Sequence, residues 1–274
     1  MKINVLSLVV LCMLGVYSAI AQSFSGKILN ANDKSPIPFV NIGIVGKGVG
    51  TVSDTEGNYR IVLHDSLKEN YIKISAIGFK NMVYRVSDFI TKQTFDILLE
   101  EDVVLLQQVV VRPKVFKTKV LGNENNARSI SAGFYSNDLG SELGVVMHIK
   151  KSPSFLEKAN FNVAFNDAGI VKFRVNIYHM KNGMVDSIIL KKPIIVEIDK
   201  QTRVLTVDLK PYNIIVEDDF LVSLEWIEGH GSNKINFCAG LMNGNSMYRK
   251  TSQDTWKKVS PVGIGFNCTV LYEK

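Results

Sequence analysis

Residues 23–63 read SFSGKILNANDKSPIPFVNIGIVGKGVGTVSDTEGNYRIVL, and this stretch decides the fold class. Short apolar runs alternate with turns rich in Gly, Asn, Asp and Pro. The last turn, DTEGN at residues 54–58, is followed at once by an apolar run at residues 59–63. Short strands separated by such turn residues are typical of a small β-sandwich.

The same pattern extends over residues 22–111. At the turn of residues 54–58, we expect Asp54 to accept hydrogen bonds from backbone amides and Gly57 to adopt a positive φ. A spacing of about ten residues per strand predicts a sandwich. A short helical turn is predicted at residues 87–92. Seven strands are predicted at residues 23–29, 39–45, 50–53, 58–63, 71–77, 81–86 and 94–99.

Residues 22–111 closely resemble the carboxypeptidase-regulatory-like domain, a transthyretin-like β-sandwich that is common in envelope proteins of Gram-negative bacteria. In that family the module is an adhesive or structural addition and not a catalyst. The zinc-binding and catalytic machinery of the carboxypeptidases belongs to a different domain. The resemblance therefore implies no catalytic residue, metal ligand or cofactor in this half.

Residues 1–21 have the pattern of a signal peptide. Lys2 is followed by an almost wholly apolar stretch at residues 5–16, and Ala19-Ile20-Ala21 provides a small-x-small cleavage pattern. The apolar stretch is too short for a membrane span, and no later stretch approaches that length. Leu11 precedes Cys12 where a lipobox needs Gly, Ala or Ser, which argues against lipidation. We therefore expect an exported chain without a transmembrane span.

Residues 103–111, VVLLQQVVV, resemble the segment that joins this domain to the plug of TonB-dependent receptors. The rest of the chain is too short for a receptor barrel of about 22 strands, so we do not expect a receptor. The apolar segment would either close the sandwich edge or pair with a partner strand. Residues 112–132, charged and then rich in Asn, are predicted to be a linker.

Residues 133–274 predict a second domain, a jelly-roll-like β-sandwich. Residues 171–178 alternate clearly: Val171, Phe173, Val175 and Ile177 face one way, and Lys172, Arg174, Asn176 and Tyr178 face the other. This half resembles the C-terminal part of exported proteins that also carry the regulatory-like domain. Nine strands are predicted at residues 142–150, 158–166, 171–180, 187–189, 194–198, 203–208, 220–227, 235–241 and 263–272.

Two aromatic residues are candidates for binding a ligand. Trp226 alternates with apolar residues and is expected in the core. Tyr248 and Trp256 instead lie in a polar segment, where their rings would be near solvent and able to stack on sugars. The alternative is that both rings fold back over the rim of the sandwich.

Four acidic residues close in sequence, Asp218, Asp219, Glu225 and Glu228, are the candidates for a hydrolase site. Paired carboxylates can carry out glycoside hydrolysis. Glu225 faces opposite Trp226, however, and nothing in the sequence marks any of these carboxylates as desolvated. No metal-binding or nucleophile motif is present, so no catalytic, metal or cofactor residue is assigned.

Cys238 and Cys268 are the two cysteines that remain after the leader. An exported chain meets an oxidising compartment, which permits a disulfide between them. The alternative is two buried thiols on separate strands.

The sequence thus predicts a two-domain, all-β protein that acts as a non-catalytic binding or structural module in the periplasm or at the outer membrane. Its partner would be an envelope protein or a glycan. We expect no nucleic-acid partner, because the chain is predicted to be exported and has no basic-aromatic motif. The first alternative is a carbohydrate-binding protein that uses the second domain. The second is a hydrolase with an unrecognised site.

Overall fold

The computed structural model describes residues 21–92, 94–102, 115–135, 138–229, 234–241 and 245–274. Residues 1–20 with Cys12, and the apolar segment at residues 103–111, lie outside the described residues. The described chain is almost entirely β-strand, arranged in four sheets. This confirms the predicted all-β class.

The first domain is a small sandwich whose two sheets share one apolar core. One sheet has the strand order β4-β1-β7, with β1 and β7 parallel, and the other has the order β3-β2-β5-β6. A five-residue helix, α1, follows β6 near its predicted position. The elements are β1 (Ala21–Asn30), β2 (Asn41–Ile44), β3 (Val49–Val52), β4 (Asn58–His64), a 3-10 turn (Asp65–Leu67), β5 (Tyr71–Ser75), β6 (Met82–Arg85), α1 (Val86–Ile90) and β7 (Ile97–Leu99).

The turn before β4 has the predicted geometry. The carboxylate Oδ1 of Asp54 accepts hydrogen bonds from the backbone amides of Glu56, at 2.9 Å, and Asn58, at 2.8 Å. Gly57 has a φ of 74°, which glycine adopts without steric cost. A Cβ at Gly57 would also lie 2.6 Å from the carbonyl oxygen of Ile28. Both constraints require glycine at this position.

The second domain is a larger antiparallel sandwich. Its seven-stranded sheet has the order β13-β12-β17-β10-β19-β20, with β14 also on β12. Its eight-stranded sheet has the order β21-β18-β11-β22-β8, with β15 and β16 on β11 and β9 on β18. The elements are β8 (Phe116–Gly122), β9 (Ser131–Phe134), β10 (Glu142–Met147), β11 (Ser154–Asn166), β12 (Val171–Lys181), β13 (Met184–Ile188), β14 (Ile194–Ile198), β15 (Val204–Asp208), a 3-10 turn (Lys210–Tyr212), β16 (Ile215–Val216), β17 (Phe220–Gly229), β18 (Ile235–Leu241), β19 (Ser246–Arg249), β20 (Lys257–Val259), β21 (Val262–Ile264) and β22 (Phe266–Glu273).

The core of the second domain lies between these two sheets. The ring of Phe173, on β12, packs edge-on against Trp226, on β17, with 5.5 Å between centroids. It also meets Phe237 of the facing sheet, at 6.4 Å. Trp226 is fully buried, as its alternation predicted. The packing of one apolar face on the other confirms the predicted sandwich.

The interval of residues 112–132, predicted to be a linker, contains structure that the prediction missed. Strand β8 pairs with β22 along its whole length and adds an edge to the eight-stranded sheet. Leu121 is buried while Lys117 remains in solvent. Charged side chains on the exposed edge obscured the strand pattern, so the linker interpretation was wrong for this part.

Within the described ranges the helices are few and short, and none is long and apolar enough to cross a membrane.

Candidate functional site

The two domains meet over the polar face of the seven-stranded sheet. Strand β12 sends Phe173, Val175 and Ile177 into the core, and it places Arg174 and its alternate neighbours on the opposite face. The guanidinium of Arg174 donates to the carbonyl oxygen of Phe39, at 2.6 Å, and to Oδ1 of Asn41, at 2.7 Å. The first domain thus covers a polar face of the sheet that would otherwise be exposed to solvent.

The loop after β19 completes this interdomain contact. Ser252 Oγ donates to Asn41 Oδ1 at 3.2 Å, and Gln253 Nε2 donates to Ser75 Oγ at 2.8 Å. The amide of Gly46 donates to the carbonyl oxygen of Gln253 at 2.9 Å. A Cβ at Gly43 would lie 2.2 Å from the carbonyl oxygen of Ser252. Glycine at this position lets the two backbones approach closely.

Beneath the contact lies a row of four charges, which we call the charge row: Arg174, Glu225, Glu142 and Arg249. Strand register produces it, because Glu225 stands opposite both Arg174 and Glu142, and Glu142 also stands opposite Arg249. Two carboxylates directly opposite each other repel. An arginine at each end of the row makes its formal charge zero.

The ion pairs of the charge row are close and buried. Arg174 donates through Nε and Nη2 to Glu225 Oε2, at 3.0 and 2.7 Å. Arg249 Nη2 lies 2.5 Å from Glu142 Oε2 and 3.6 Å from Glu225 Oε1. Glu225 is 0% exposed and Glu142 is 1% exposed. Charges this deeply buried are tolerated only when they are paired and hydrogen-bonded.

Neutral side chains supply further donors. Asn176 Nδ2 donates to Glu142 Oε1 at 2.9 Å and to Glu225 Oε2 at 2.8 Å. Ser223 Oγ donates to Glu142 Oε1 at 2.5 Å, and Tyr178 Oη donates to Oε2 of the same carboxylate at 3.3 Å. Each carboxylate is therefore held in a fixed orientation.

The two carboxyl groups differ in acidity. Burial raises the pKa of Glu142, although Arg249 opposes the shift. Burial also disfavours ionisation of Glu225, but Arg174 and Arg249 outweigh it and hold the pKa of Glu225 below its ordinary value. Carboxyl pairs with separated pKa values occur in acid–base catalysis. Here both groups are sealed beneath a docked domain, so the arrangement is suited to fixing structure.

The four acidic candidates do not come together. Only Glu225 belongs to the charge row, and it is fully buried, which nothing in the sequence had marked. Glu228 Oε1 lies 2.7 Å from Lys172 Nζ. Asp219 Oδ2 lies 2.5 Å from His148 Nδ1, at a cleft of about 610 Å³ that Asp218 also lines. The four carboxylates thus lie at three separate places, with Asp218 and Asp219 sharing the cleft.

Tyr248 and Trp256 lie on opposite faces of the seven-stranded sheet. Tyr248 stands opposite Leu143 in the ladder, and it lines a cavity of about 350 Å³. Trp256 lies on the other face, where its ring meets Tyr178 at 5.8 Å and the guanidinium of Arg249 at 5.2 Å. The two rings therefore cannot form one stacking platform.

Cys238 and Cys268 are both buried free thiols, so the structure contains no disulfide between them. Cys268 belongs to the apolar core, as do its alternate neighbours Phe266 and Val270. On β18 the core position is taken by Phe237, so the adjacent Cys238 points to the other face. Side chains on opposite faces of a sheet cannot reach disulfide geometry.

The described residues contain no group of three or more His, Cys, Asp or Glu side chains arranged to hold a metal ion. Three members of the charge row, Arg174, Glu142 and Arg249, were not predicted as site residues. A signal was present for Arg174 alone, in the alternation of residues 171–178, which put it on the face opposite Phe173 and Val175. The sequence could not show that this face is covered.

Comparison with known proteins agrees with the fold of the first half. Residues 24–111 match the model of the CarboxypepD_reg-like domain family. TonB-dependent receptor P3 of Formosa agariphila is 28% identical over 128 residues, which are 46% of this chain and 12% of that receptor. The chain thus spans about an eighth of the length of this curated relative.

Two solved structures of a surface-layer cysteine protease are similar at a distance. The protease and lectin-like domains of Cwp84 from Clostridium difficile give a TM-score of 0.41 at 9% identity, covering 85% of this chain and 58% of that one. Clostridial Cwp84 after propeptide cleavage gives a TM-score of 0.42 at 9% identity, and the match covers 90% of this chain and 70% of that one. Nothing about function follows at these scores. The family match, together with the observed sandwich, identifies residues 24–111 of this chain as a CarboxypepD_reg-like domain.

Proposed function

We propose that the chain is a non-catalytic binding or structural module of the bacterial cell envelope, in which the CarboxypepD_reg-like domain is docked as a fixed support for the second sandwich. One observation carries the proposal: the charge row is neutral, hydrogen-bonded and sealed between the domains. An ionic cluster of this kind fixes the relative position of two parts.

The surroundings of the buried carboxylates support a non-catalytic role. A general acid or base must come within hydrogen-bond reach of its substrate. Glu142 and Glu225 are instead buried and accept hydrogen bonds from protein side chains, although Glu225 Oε1 accepts none. The first domain contacts the same face through Arg174. The exposed pair of His148 and Asp219 has no hydrogen-bonded nucleophile among the described residues.

The envelope location rests on three features. The leader at residues 1–21 has the pattern of an export signal. The CarboxypepD_reg-like domain resembles modules that are common in envelope proteins. The curated relative is named as a TonB-dependent receptor, although this chain spans only a small part of it.

The catalytic side of the proposal is tested with the full chain on panels of chromogenic peptidase and glycosidase substrates. Wild type, Glu225→Gln and Asp218→Asn are compared, and the last is a matched control because Asp218 lies at the separate cleft. We expect no turnover by any of the three. Turnover by wild type that is lost in either variant, with its melting temperature retained, would show that the chain is an enzyme.

The proposed envelope location and binding function are tested by fractionating cells that express the tagged full chain. We expect the mature chain in the periplasmic or outer-membrane fraction and one dominant envelope component after crosslinking. Recovery in the cytoplasm with the leader intact would contradict the proposal.

A further inference from the structure

We propose that the cavity lined by Tyr135 and Tyr248 is a glycan-binding site, an inference that deepens the proposed binding function and rests on it. The cavity has a volume of about 350 Å³. It opens between strands β9 and β21 of one sheet and strands β10, β19 and β20 of the other, at the edge of the sandwich. Ligand pockets usually begin near this size.

Two exposed aromatic rings mark this cavity. Tyr248 is 38% exposed and Tyr135 is 58% exposed, so both rings are accessible to a ligand in the cavity. The amide of Asn236 donates to the hydroxyl of Tyr135 at 3.3 Å. Lys234 Nζ lies 5.7 Å from the centroid of the same ring. Tyr135 is therefore held in place before any ligand arrives.

A buried polar atom at the cavity also points to a ligand. Ser141 lines the cavity, and its side chain is nine-tenths buried. Its Oγ has no hydrogen-bond partner among the described residues. A buried hydroxyl left unpaired costs free energy. The Oγ of Ser141 has almost no accessible surface, so a ligand relieves this cost when the side chain turns toward the cavity and donates to it.

The remaining lining sets the chemical class of the ligand. Phe134, Leu143 and Ile264 give apolar walls, while Asp138 and Lys250 add charged groups. A pyranose ring matches this mixture, because its C–H face stacks on an aromatic ring while its hydroxyls take hydrogen bonds. A purely aliphatic ligand would leave the Ser141 hydroxyl unpaired. The combination therefore favours an oligosaccharide.

This site corrects the residues selected from the sequence. Tyr248 is retained, its expected companion Trp256 is on the other face of the sheet, and Tyr135 takes its place. Tyr135 directly follows β9 (Ser131–Phe134), a strand that was not predicted from the sequence.

The test applies the labelled full chain to a printed array of neutral and acidic oligosaccharides, and titrates any glycan that binds. We expect Tyr248→Ala and Tyr135→Ala each to weaken binding by about five- to tenfold, since each removes one stacking face. Tyr248→Phe should keep most of the affinity because it keeps the ring. Tyr71→Ala is the matched control, since Tyr71 is an equally exposed tyrosine of the first domain, outside the cavity.

Ser141→Ala separates a ligand contact from a structural role. Its hydroxyl has no protein partner, so we expect an unchanged or higher melting temperature together with weaker glycan binding. A wild-type chain that binds no glycan, or alanine variants that bind as wild type does, would overturn the site. Neither result affects the proposed non-catalytic function. Cleavage of the bound oligosaccharide would instead overturn that function and leave the binding site standing.

Discussion

The two faces of the seven-stranded sheet are both buried, but by opposite chemistry. On one face, Phe173 and Trp226 pack against the second sheet. On the other face of the same strands, Arg174 and Glu225 pair beneath the first domain. Successive residues of β12 and β17 thus enter an apolar core and an ionic contact in turn.

The apolar contact and the ionic contact differ in how strictly each specifies the side chains that form it. The apolar face tolerates any side chains of suitable volume, since hydrophobic burial has no direction. The charge row tolerates only one register and one docking position, because each buried charge must meet its partner. The apolar face therefore stabilises the domain, and the polar face determines where the first domain docks.

The largest expected effect comes from Arg174→Ala. The substitution leaves Glu225 buried without its closest partner and removes both hydrogen bonds to the first domain. Breaking one side of a buried pair costs about 3–5 kcal/mol. We expect a loss of that size in the free energy of unfolding, measured by urea denaturation of the full chain. A loss below about 1 kcal/mol would mean that the row does not hold the domains together.

The next effect tests the close approach between the domains. Gly43→Ala places a methyl group against the backbone of Ser252, and overpacking of this kind costs about 1–3 kcal/mol. Gly57→Ala is the counterpart, because its clash with Ile28 lies within the first domain. Hydrogen exchange of residues 250–256 should speed up in Gly43→Ala and remain unchanged in Gly57→Ala. Equal exchange in the two variants would show that the contact at Gly43 is not the one that orders this loop.

A smaller effect is expected for the pH dependence of the free energy of unfolding, because the contributions of Glu142 and Glu225 have opposite signs and partly cancel. The raised pKa of Glu142 means that its stabilisation is present below the ordinary value of 4.5 and is lost as pH rises through the raised pKa. The lowered pKa of Glu225 means that its stabilisation is present above 4.5 and is lost as pH falls below it. Glu142→Gln should therefore reduce the dependence of the free energy of unfolding on pH above pH 4.5. Glu225→Gln should reduce that dependence below pH 4.5.

The pH experiment follows the urea midpoint of the wild type and both variants between about pH 3 and pH 8. The two curves should diverge from the wild type on opposite sides of the ordinary glutamate value. Two variants with parallel curves would contradict the assignment of opposite shifts to the two carboxyl groups.

The smallest effect is expected for Lys172→Ala. Lys172 lies two residues before Arg174 on β12, and it pairs with Glu228 at 2.7 Å. Both side chains remain partly exposed, so water replaces much of the lost interaction, and the cost should be below about 1 kcal/mol. A loss as large as that of Arg174→Ala would mean that burial does not distinguish the two pairs.

Local pattern was enough for the strands of the first domain. Its turns carry glycine, asparagine and aspartate at positions that need them, and the turn of Asp54 and Gly57 follows directly from their chemistry. The candidate site was only partly predictable. Exposure of Tyr248 followed from its polar neighbours, whereas its companion Tyr135 directly follows β9, about 110 residues earlier in the chain, and only folding brings the two near each other.

The sequence by itself determined the all-β class, the CarboxypepD_reg-like domain and the core-facing side of β12 and β17, because these depend on alternation and turn residues over short distances. The tertiary structure alone decided what covers the other sides. Arg174 and Glu225 are charged, as on a solvated face, and they are buried because the first domain docks on this face. Cys238 and Cys268 remain apart because β11 lies between their strands and their side chains point to opposite faces of the sheet. Tyr248 and Trp256 likewise lie on opposite faces of a sheet.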